Sequence, residues 1–288
     1  MNEFLHWLQT RMPMPTWFGW FHIMWIIFTI AACTLIFIFR KRISKKGINI
    51  TLLCLGIVCI VLEIYKQVVY AFHYNDGGNT CTWDYEWYSF PFQFCSTPMY
   101  LMVLAAILRK GKVYDSLLAY LATYALFAGL VVMIYTGDVF SKIIGINIQT
   151  MVVHCGMFVV GFMLLVTRSV KISYMTVLKA TTVFVSMLLI ALLMNITWHY
   201  CSNIDEEFNM FFISPYYPCS LAVLNVIYNA CPYPVFLIIY ILGFMLAAAV
   251  MMTIAIICDR VAKDIRRRKM LPDELQAEKI LSIIKKDL

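Results

Sequence analysis

Charged residues are scarce in this chain, at 14% of 288 residues, whereas 62% of the residues are hydrophobic. A soluble domain usually carries about 25% charged residues, so this composition excludes an ordinary soluble protein. A helix needs about 20 mostly apolar residues to cross a bilayer. Stretches of this kind predict an all-α polytopic membrane bundle of seven transmembrane helices, at residues 17–39, 48–72, 92–108, 113–135, 148–166, 174–198 and 233–258.

Lysine and arginine are nearly absent from alternate connections between the predicted spans, which hold only Arg11 and Lys142. Basic loops stay in the cytoplasm, so the amino terminus should lie outside and the carboxyl terminus inside. The plasma membrane is the expected location, and the net charge of +7 reflects these loops rather than nucleic-acid binding. The basic connections contain Arg40, Lys41, Arg42, Lys45, Lys46, Arg109, Lys110, Lys112, Arg168, Lys171, Arg260, Lys263 and residues 266–269.

Internal repeats and low-complexity linkers are also missing. The simplest organisation is therefore a membrane domain at 1–258 and a basic cytoplasmic tail at 259–288. In the tail, Pro272, Asp273 and Glu274 precede apolar residues and predict a short amphipathic surface helix, with a solvated helix as the alternative. We expect the first span to remain as an anchor, because no cleavable signal peptide is evident.

Metal-binding spacings do not occur either, since the chain has no H-x-x-x-H or C-x-x-C pattern. We therefore predict no metal and no cofactor. The last span has no lysine to carry retinal, which disfavours a photoreceptor. A transporter, a channel or a ligand-sensing receptor is the alternative from a different class, with polar residues lining a cavity in the outer half.

Polar residues are concentrated in the outer half of the predicted bundle. The third and fifth spans both enter from outside, which places Cys95 about 6 Å and His154 about 9 Å below their starts. A thiol and an imidazole at similar depth can act as nucleophile and base. The second and sixth spans bring further polar residues to this level, with Glu63 and Lys66 spaced to pair on one helix face: Glu63, Lys66, Gln67 and Asn195.

Each of these residues also has a structural interpretation. A buried thiol is usually a small apolar filler, and a membrane histidine or amide often bridges two helices. Cys95 differs because Pro91 precedes it and Ser96, Thr97 and Pro98 follow it, a helix-perturbing stretch in the hydrocarbon. Four other cysteines lie in outward-facing segments, where they could form disulfides in three pairings or stay free: Cys81, Cys201, Cys219 and Cys231.

Three segments resemble a known family. These are FPFQFCSTPMYLMVLAAIL at 90–108, QTMVVHCGMFVVGFMLL at 149–165 and FNMFFISPYYPCSLAVLNVIYNACPYPVFLIIY at 208–240. Their order and spacing resemble those of the YwaF-like integral membrane proteins, the family that includes transmembrane protein 164. The chain departs from the usual motifs at Gln93, where histidine is common, and at Met210, where tyrosine is common.

The resemblance implies a membrane enzyme in which a cysteine nucleophile and a histidine transfer fatty-acyl groups between phospholipids. From the chemistry of a thiol nucleophile we expect an acyl-thioester intermediate, with a lysophospholipid as the acceptor. Cys95 and His154 match the nucleophile and the base of that reaction. Oxyanion donors could come from Gln93, Ser96 or Asn195, with Asn209 as a further supporting polar residue. If water took the acyl group instead, the protein would be an intramembrane lipid ester hydrolase.

Overall fold

The long helices dominate the structure, a computed structural model that describes residues 2–75, 80–137, 139–204 and 206–269. Within these residues, six helices are long and apolar enough to cross a membrane, so the predicted all-α polytopic bundle is confirmed. They are α2 (Trp20–Phe39), α3 (Lys45–Ala71), the Lys112–Ile134 helix, α7 (Ile144–Val166), α8 (Tyr174–Cys201) and α10 (Tyr233–Lys269). The count of seven spans and the orientation stay predictions.

The predicted third span is the exception, because only its second part is helical. Helix α4 covers Thr97–Leu108, and residues 92–96 before it are irregular. Twelve residues rise about 18 Å, less than the hydrocarbon thickness. Pro98 stands in the first turn, where proline is tolerated but helix cannot readily extend backwards.

The Lys112–Ile134 helix contains a π-helical turn. It consists of α5 (Lys112–Tyr120), the π turn (Leu121–Ala125) and α6 (Leu126–Ile134). Together with α7 it forms the centre of the bundle, since 72% and 67% of their most apolar stretches are buried, against 28% or less in the other long helices. π turns are rare and often occur near functional sites.

Shorter elements connect the long helices. A two-stranded antiparallel hairpin follows α3, and pairs Phe72 with Trp83 and His73 with Thr82. We call this end of the bundle the hairpin end and the opposite end, with Arg109 and Arg168, the basic end. The remaining elements are α1 (Asn2–Leu8), β1 (Phe72–Asn75), β2 (Thr80–Trp83), α9 (Ala222–Ala230) and 3-10 turns at Trp87–Ser89 and Met210–Phe212.

Two glycines allow the helices around the site to approach closely. A Cβ on Gly129 of α6 would lie 2.5 Å from the carbonyl oxygen of His154 on α7, and one on Gly56 of α3 would lie 2.7 Å from Val103 of α4. Small residues at such crossings bring backbones together in membrane bundles. α6 therefore packs closely against α7 and α3 against α4, and α3 also contacts α7.

The last helix runs through the predicted boundary at residue 258, and the described residues are helical up to Lys269. At the basic end, Asp259 pairs with Arg168 and with Lys263, which joins α10 to the turn before α8. The predicted amphipathic helix after Pro272 lies outside the described residues.

Candidate functional site

Glu63 is the centre of a buried polar cluster. It is 4% exposed on α3, and its Oε1 accepts from Lys66 Nζ at 2.6 Å and from Gln67 Nε2 at 2.9 Å. The other oxygen, Oε2, accepts from Gln149 Nε2 of α7 at 3.0 Å. The predicted pairing of Glu63 with Lys66 is therefore formed. We call Glu63, Lys66, Gln67 and Gln149 the polar cluster.

Gln67 connects the polar cluster to the irregular segment before α4. Its Nε2 also donates to the carbonyl oxygen of Ser89 at 2.8 Å, and its Oε1 accepts from the Tyr85 hydroxyl. Burial raises the pKa of Tyr85, and the negative charge of Glu63 adds to this effect. The phenol thus stays protonated and acts as a donor.

Cys95 lies in the irregular segment 92–96, at the entrance to α4. Its side chain is half-buried against the main apolar core, and the buried Ser96 follows it in the chain. The charges of Lys66 and Glu63 act on the thiol electrostatically, in opposite directions. The thiol is therefore subject to charge as well as to its apolar surroundings.

His154 occupies α7 and is 6% exposed. Its Nδ1 lies 2.8 Å from the carbonyl oxygen of Thr150. A carbonyl only accepts, so Nδ1 carries the proton and Nε2 is the unprotonated nitrogen of the neutral ring. Lys66 acts electrostatically on this ring as well as on Cys95. Both predicted catalytic residues are therefore subject to the charge of the polar cluster, and His154 shares α7 with Gln149.

The side-chain amides of Gln93 and Asn195 both form hydrogen bonds with the backbone of the loop at residues 208–214. Gln93 donates to the carbonyl of Asn209 at 3.0 Å and accepts from the N–H of Phe211 at 2.9 Å. Asn195 donates to the carbonyl of Met210 at 3.0 Å and accepts from its N–H at 2.7 Å. Of the three predicted oxyanion donors, Ser96 is the one that stands beside the thiol. The oxyanion role of Gln93 and Asn195 stays a prediction. Either amide would have to break its hydrogen bonds to the loop backbone to take that role.

The 208–214 loop that these amides hold has an unfavourable backbone. Phe211 and Phe212 have φ values of 58° and 56°, in the left-handed region that bulky residues rarely adopt. Asn209 stabilises the loop from within, because its side chain donates to the carbonyl of Pro218 and accepts from the N–H of Ser214. The predicted supporting residue Asn209 is thus a structural part of this loop.

Replacing Asn195 by alanine should destabilise the protein. The change leaves the buried N–H of Met210 without its partner, at about 1–3 kcal/mol, and removes one of the two donors to the Met210 carbonyl, which still accepts from the Ile213 N–H. We expect a lower Tm in detergent or nanodiscs, by several degrees. Asn229→Ala is the matched control, because that amide is exposed and bonds within one helical turn. An Asn195 variant as stable as this control would contradict the interpretation.

The four cysteines of the outward-facing segments, Cys81, Cys201, Cys219 and Cys231, lie among the described residues. Cys219 is fully buried whereas Cys201 is exposed, so these two thiols occupy different environments. The choice between disulfides and free thiols stays a prediction.

A large cleft lies at the hairpin end, away from Cys95. Its volume is about 700 Å³, and none of the residues predicted for the site lines it. The lining comes from α1, the end of α3 and the neighbouring loops: His6, Gln9, Thr10, Arg11, Val69, Tyr70, Phe72, His73, Glu86 and Ile143.

The sequence prediction missed Gln149 and Tyr85. Gln149 carried a usable signal, because it is a polar residue inside a predicted span and such residues usually face the bundle interior. Tyr85 carried none, since it lies in a loop rich in aromatic residues and only the fold brings it to Gln67. Both belong to the surroundings of Glu63 and extend the polar cluster to other elements.

The apolar helices and the buried polar cluster define a polytopic integral membrane protein in contact with lipid. The sequence matches the model of the TMEM164 family over residues 17–254, a range that includes Cys95, His154 and the polar cluster. The chain belongs to this family. Neither the curated proteins nor the solved structures give a match.

Proposed function

We propose that the protein is an intramembrane acyltransferase that moves fatty-acyl groups between phospholipids and lysophospholipids through Cys95. The observation that supports the proposal is that the charge of Lys66, which pairs with Glu63 at 2.6 Å, acts electrostatically on both Cys95 and His154. A thiol in a helix break and a buried imidazole with a free basic nitrogen are the two groups that nucleophilic catalysis by cysteine requires.

The reaction would proceed in two halves. His154 Nε2 accepts the Cys95 proton, the sulfur attacks the ester carbonyl carbon of a phospholipid, and the C–O bond to the glycerol breaks. The leaving lysophospholipid oxygen takes the proton from His154, and the acyl group stays on Cys95 as a thioester. A hydroxyl of a second lysophospholipid then loses its proton to His154 and attacks the thioester, which returns the thiol.

The surroundings of Cys95 favour transfer to a lipid over hydrolysis. Phe92 and Phe94 flank the cysteine in sequence, and Phe94 contacts Phe184 and Phe244 with ring centroids 5.8 and 4.8 Å apart. Such an aromatic environment keeps water scarce near a thioester. Lysophospholipid arrives from the bilayer itself, so it reaches the site without passing through water.

The direct test uses purified protein in nanodiscs with a phospholipid labelled in one acyl chain and an unlabelled lysophospholipid. Mass spectrometry of the lipids should show the labelled chain on the acceptor. Free labelled fatty acid without labelled acceptor would identify a hydrolase instead. If no labelled product formed with any pair of donor and acceptor lipids, the proposed function would be wrong.

Replacing His154 by glutamine should lower the transfer rate by about 10²–10⁴-fold, the usual contribution of a general base. Glutamine preserves a donor for the Thr150 carbonyl but offers no basic nitrogen. His22→Gln is the matched control, since His22 is also a buried helical histidine, bonded to the Phe18 N–H and the Met133 carbonyl. Equal rates per folded protein in the two variants would exclude His154 as the base.

A further inference from the structure

Tyr120 is fully buried, yet its hydroxyl has no hydrogen-bond partner. In the described part of the chain, this oxygen and Trp25 Nε1 are the two buried side-chain polar atoms in that condition. Buried polar groups are nearly always paired, and an exception calls for an explanation such as a catalytic role. The neighbouring tyrosines follow the rule, because Tyr124 bonds to Thr181 and Tyr240 donates to the Phe211 carbonyl.

The hydroxyl lies beside the segment that contains Cys95. Helix α5 packs against α4, whose first residue is Thr97, and the Tyr120 oxygen has no hydrogen bond there. Thr97 donates to the Phe94 carbonyl at 3.2 Å, which ties the start of α4 to the segment with Cys95. The Cys95 thiol also interacts electrostatically with the phenol. The free donor therefore lies on the helix that packs against the segment with the proposed nucleophile.

Ring stacking fixes the position of this donor. Tyr120 stacks on Tyr124 with centroids 5.4 Å apart and planes 2° apart, and Tyr124 stacks on Phe184 at 4.7 Å. Phe184 contacts Phe94, the residue before Cys95, at 5.8 Å. The π turn starts directly after Tyr120, so the unusual helix geometry coincides with this stack.

We propose that Tyr120 is a catalytic residue that donates a hydrogen bond to the oxyanion of the acyl-transfer reaction. This inference rests on the proposed function. When the Cys95 sulfur bonds to the ester carbonyl carbon, the C=O electron pair moves to the oxygen and gives an oxyanion. Tyr120 donates to that oxygen without losing its proton. The electron pair returns when the glycerol C–O bond breaks, and the same donor serves when the thioester is attacked.

The unpaired hydroxyl of Tyr120 fits an oxyanion donor better than a side chain that only fills space. A tyrosine that only filled space would be matched by phenylalanine, which introduces no unpaired donor. A preorganised donor instead has to be free in the resting protein and find its acceptor in the transition state. Ser96, the buried hydroxyl directly after Cys95 in the chain, is the candidate for a second donor.

Tyr120→Phe tests the proposal, with Tyr124→Phe as the matched control from the same stack. Two rates are compared for each variant: acyl transfer from labelled phospholipid, and alkylation of Cys95 by iodoacetamide. Alkylation displaces iodide at a saturated carbon and forms no oxyanion. We expect Tyr120→Phe to lower acyl transfer by about 10²–10³-fold, with alkylation within twofold of wild type. Its Tm should not fall, because the lost hydroxyl had no partner.

The other possible results distinguish an error in the assignment of Tyr120 from an error in the proposed function. Unchanged acyl transfer in Tyr120→Phe would overturn the assignment, and the proposed function would stand if Cys95→Ala were inactive. An equal fall in alkylation and acyl transfer would also overturn it, because Tyr120 would then act through the thiol. A Cys95→Ala variant with full acyl transfer would remove the proposed function itself.

Discussion

Cys95→Ala should abolish acyl transfer, with a loss of at least about 10³-fold relative to wild type. The reason is that the proposed thioester cannot form without the sulfur, and the remaining groups only bind and orient the lipids. Alanine is smaller than cysteine, and the position is half-buried in an irregular segment, so the fold should tolerate the change. The measurement is the appearance of the labelled acyl chain on lysophospholipid in nanodiscs.

The thioester itself gives a second readout. Wild-type protein incubated with donor phospholipid alone should carry the acyl group on the peptide that contains Cys95, and neutral hydroxylamine should release it. Cys59→Ala is the matched control, because Cys59 is 1% exposed on α3, one turn from Glu63. Acylation at Cys59 instead of Cys95, or normal transfer by Cys95→Ala, would contradict the proposed nucleophile.

The sequence predicts the bundle well because lipid leaves few choices for an apolar chain. Six of the predicted spans correspond to long helices, and their ends agree to within four residues except at the last one, whose helix extends 11 residues past residue 258. The third span was predicted at 92–108, but helix starts only at Thr97. The apolar pattern continues through Phe92 and Phe94, so hydropathy could not reveal the break. The proline and hydroxyl residues around Cys95 did indicate it.

The site is predictable only where its contacts are local. Glu63 and Lys66 are three residues apart on one helix, and their pairing follows from helix geometry. Gln93 and Asn195 were predicted as oxyanion donors because polar groups were expected near Cys95. The structure shows both amides bonded to the 208–214 loop, a contact across more than 100 residues for Gln93. No sequence pattern gives such a pairing.

The unpaired hydroxyl of Tyr120 could not be predicted from the sequence either. The chain has 17 tyrosines, and nothing in the local sequence separates this residue from Tyr124 four positions later. The difference arises because the Tyr124 hydroxyl forms a hydrogen bond with Thr181 of α8, whereas no described side chain forms one with the Tyr120 hydroxyl. An unpaired donor is a property of packing, so it becomes visible only in three dimensions.

Glu63→Leu should cause the largest loss of stability among single changes in the polar cluster, by about 3–5 kcal/mol. The change leaves Lys66, whose side chain is 16% exposed, as a charge without its carboxylate, and removes the acceptor of Gln67 and Gln149. We expect a clearly lower Tm in nanodiscs. Lys263→Ala is the matched control, because its ion pair with Asp259 involves a lysine that is 67% exposed, and such pairs contribute at most about 1 kcal/mol.

The double variant Glu63→Leu with Lys66→Met separates structure from chemistry. Replacing both members of a buried ion pair by apolar residues is often far less destabilising than removing one. We therefore expect the double variant to regain part of the lost Tm but none of the lost acyl transfer, because Lys66 is the charge near both Cys95 and His154. Recovery of transfer together with Tm would show that the pair only supports the fold and that its charge is not needed for the reaction.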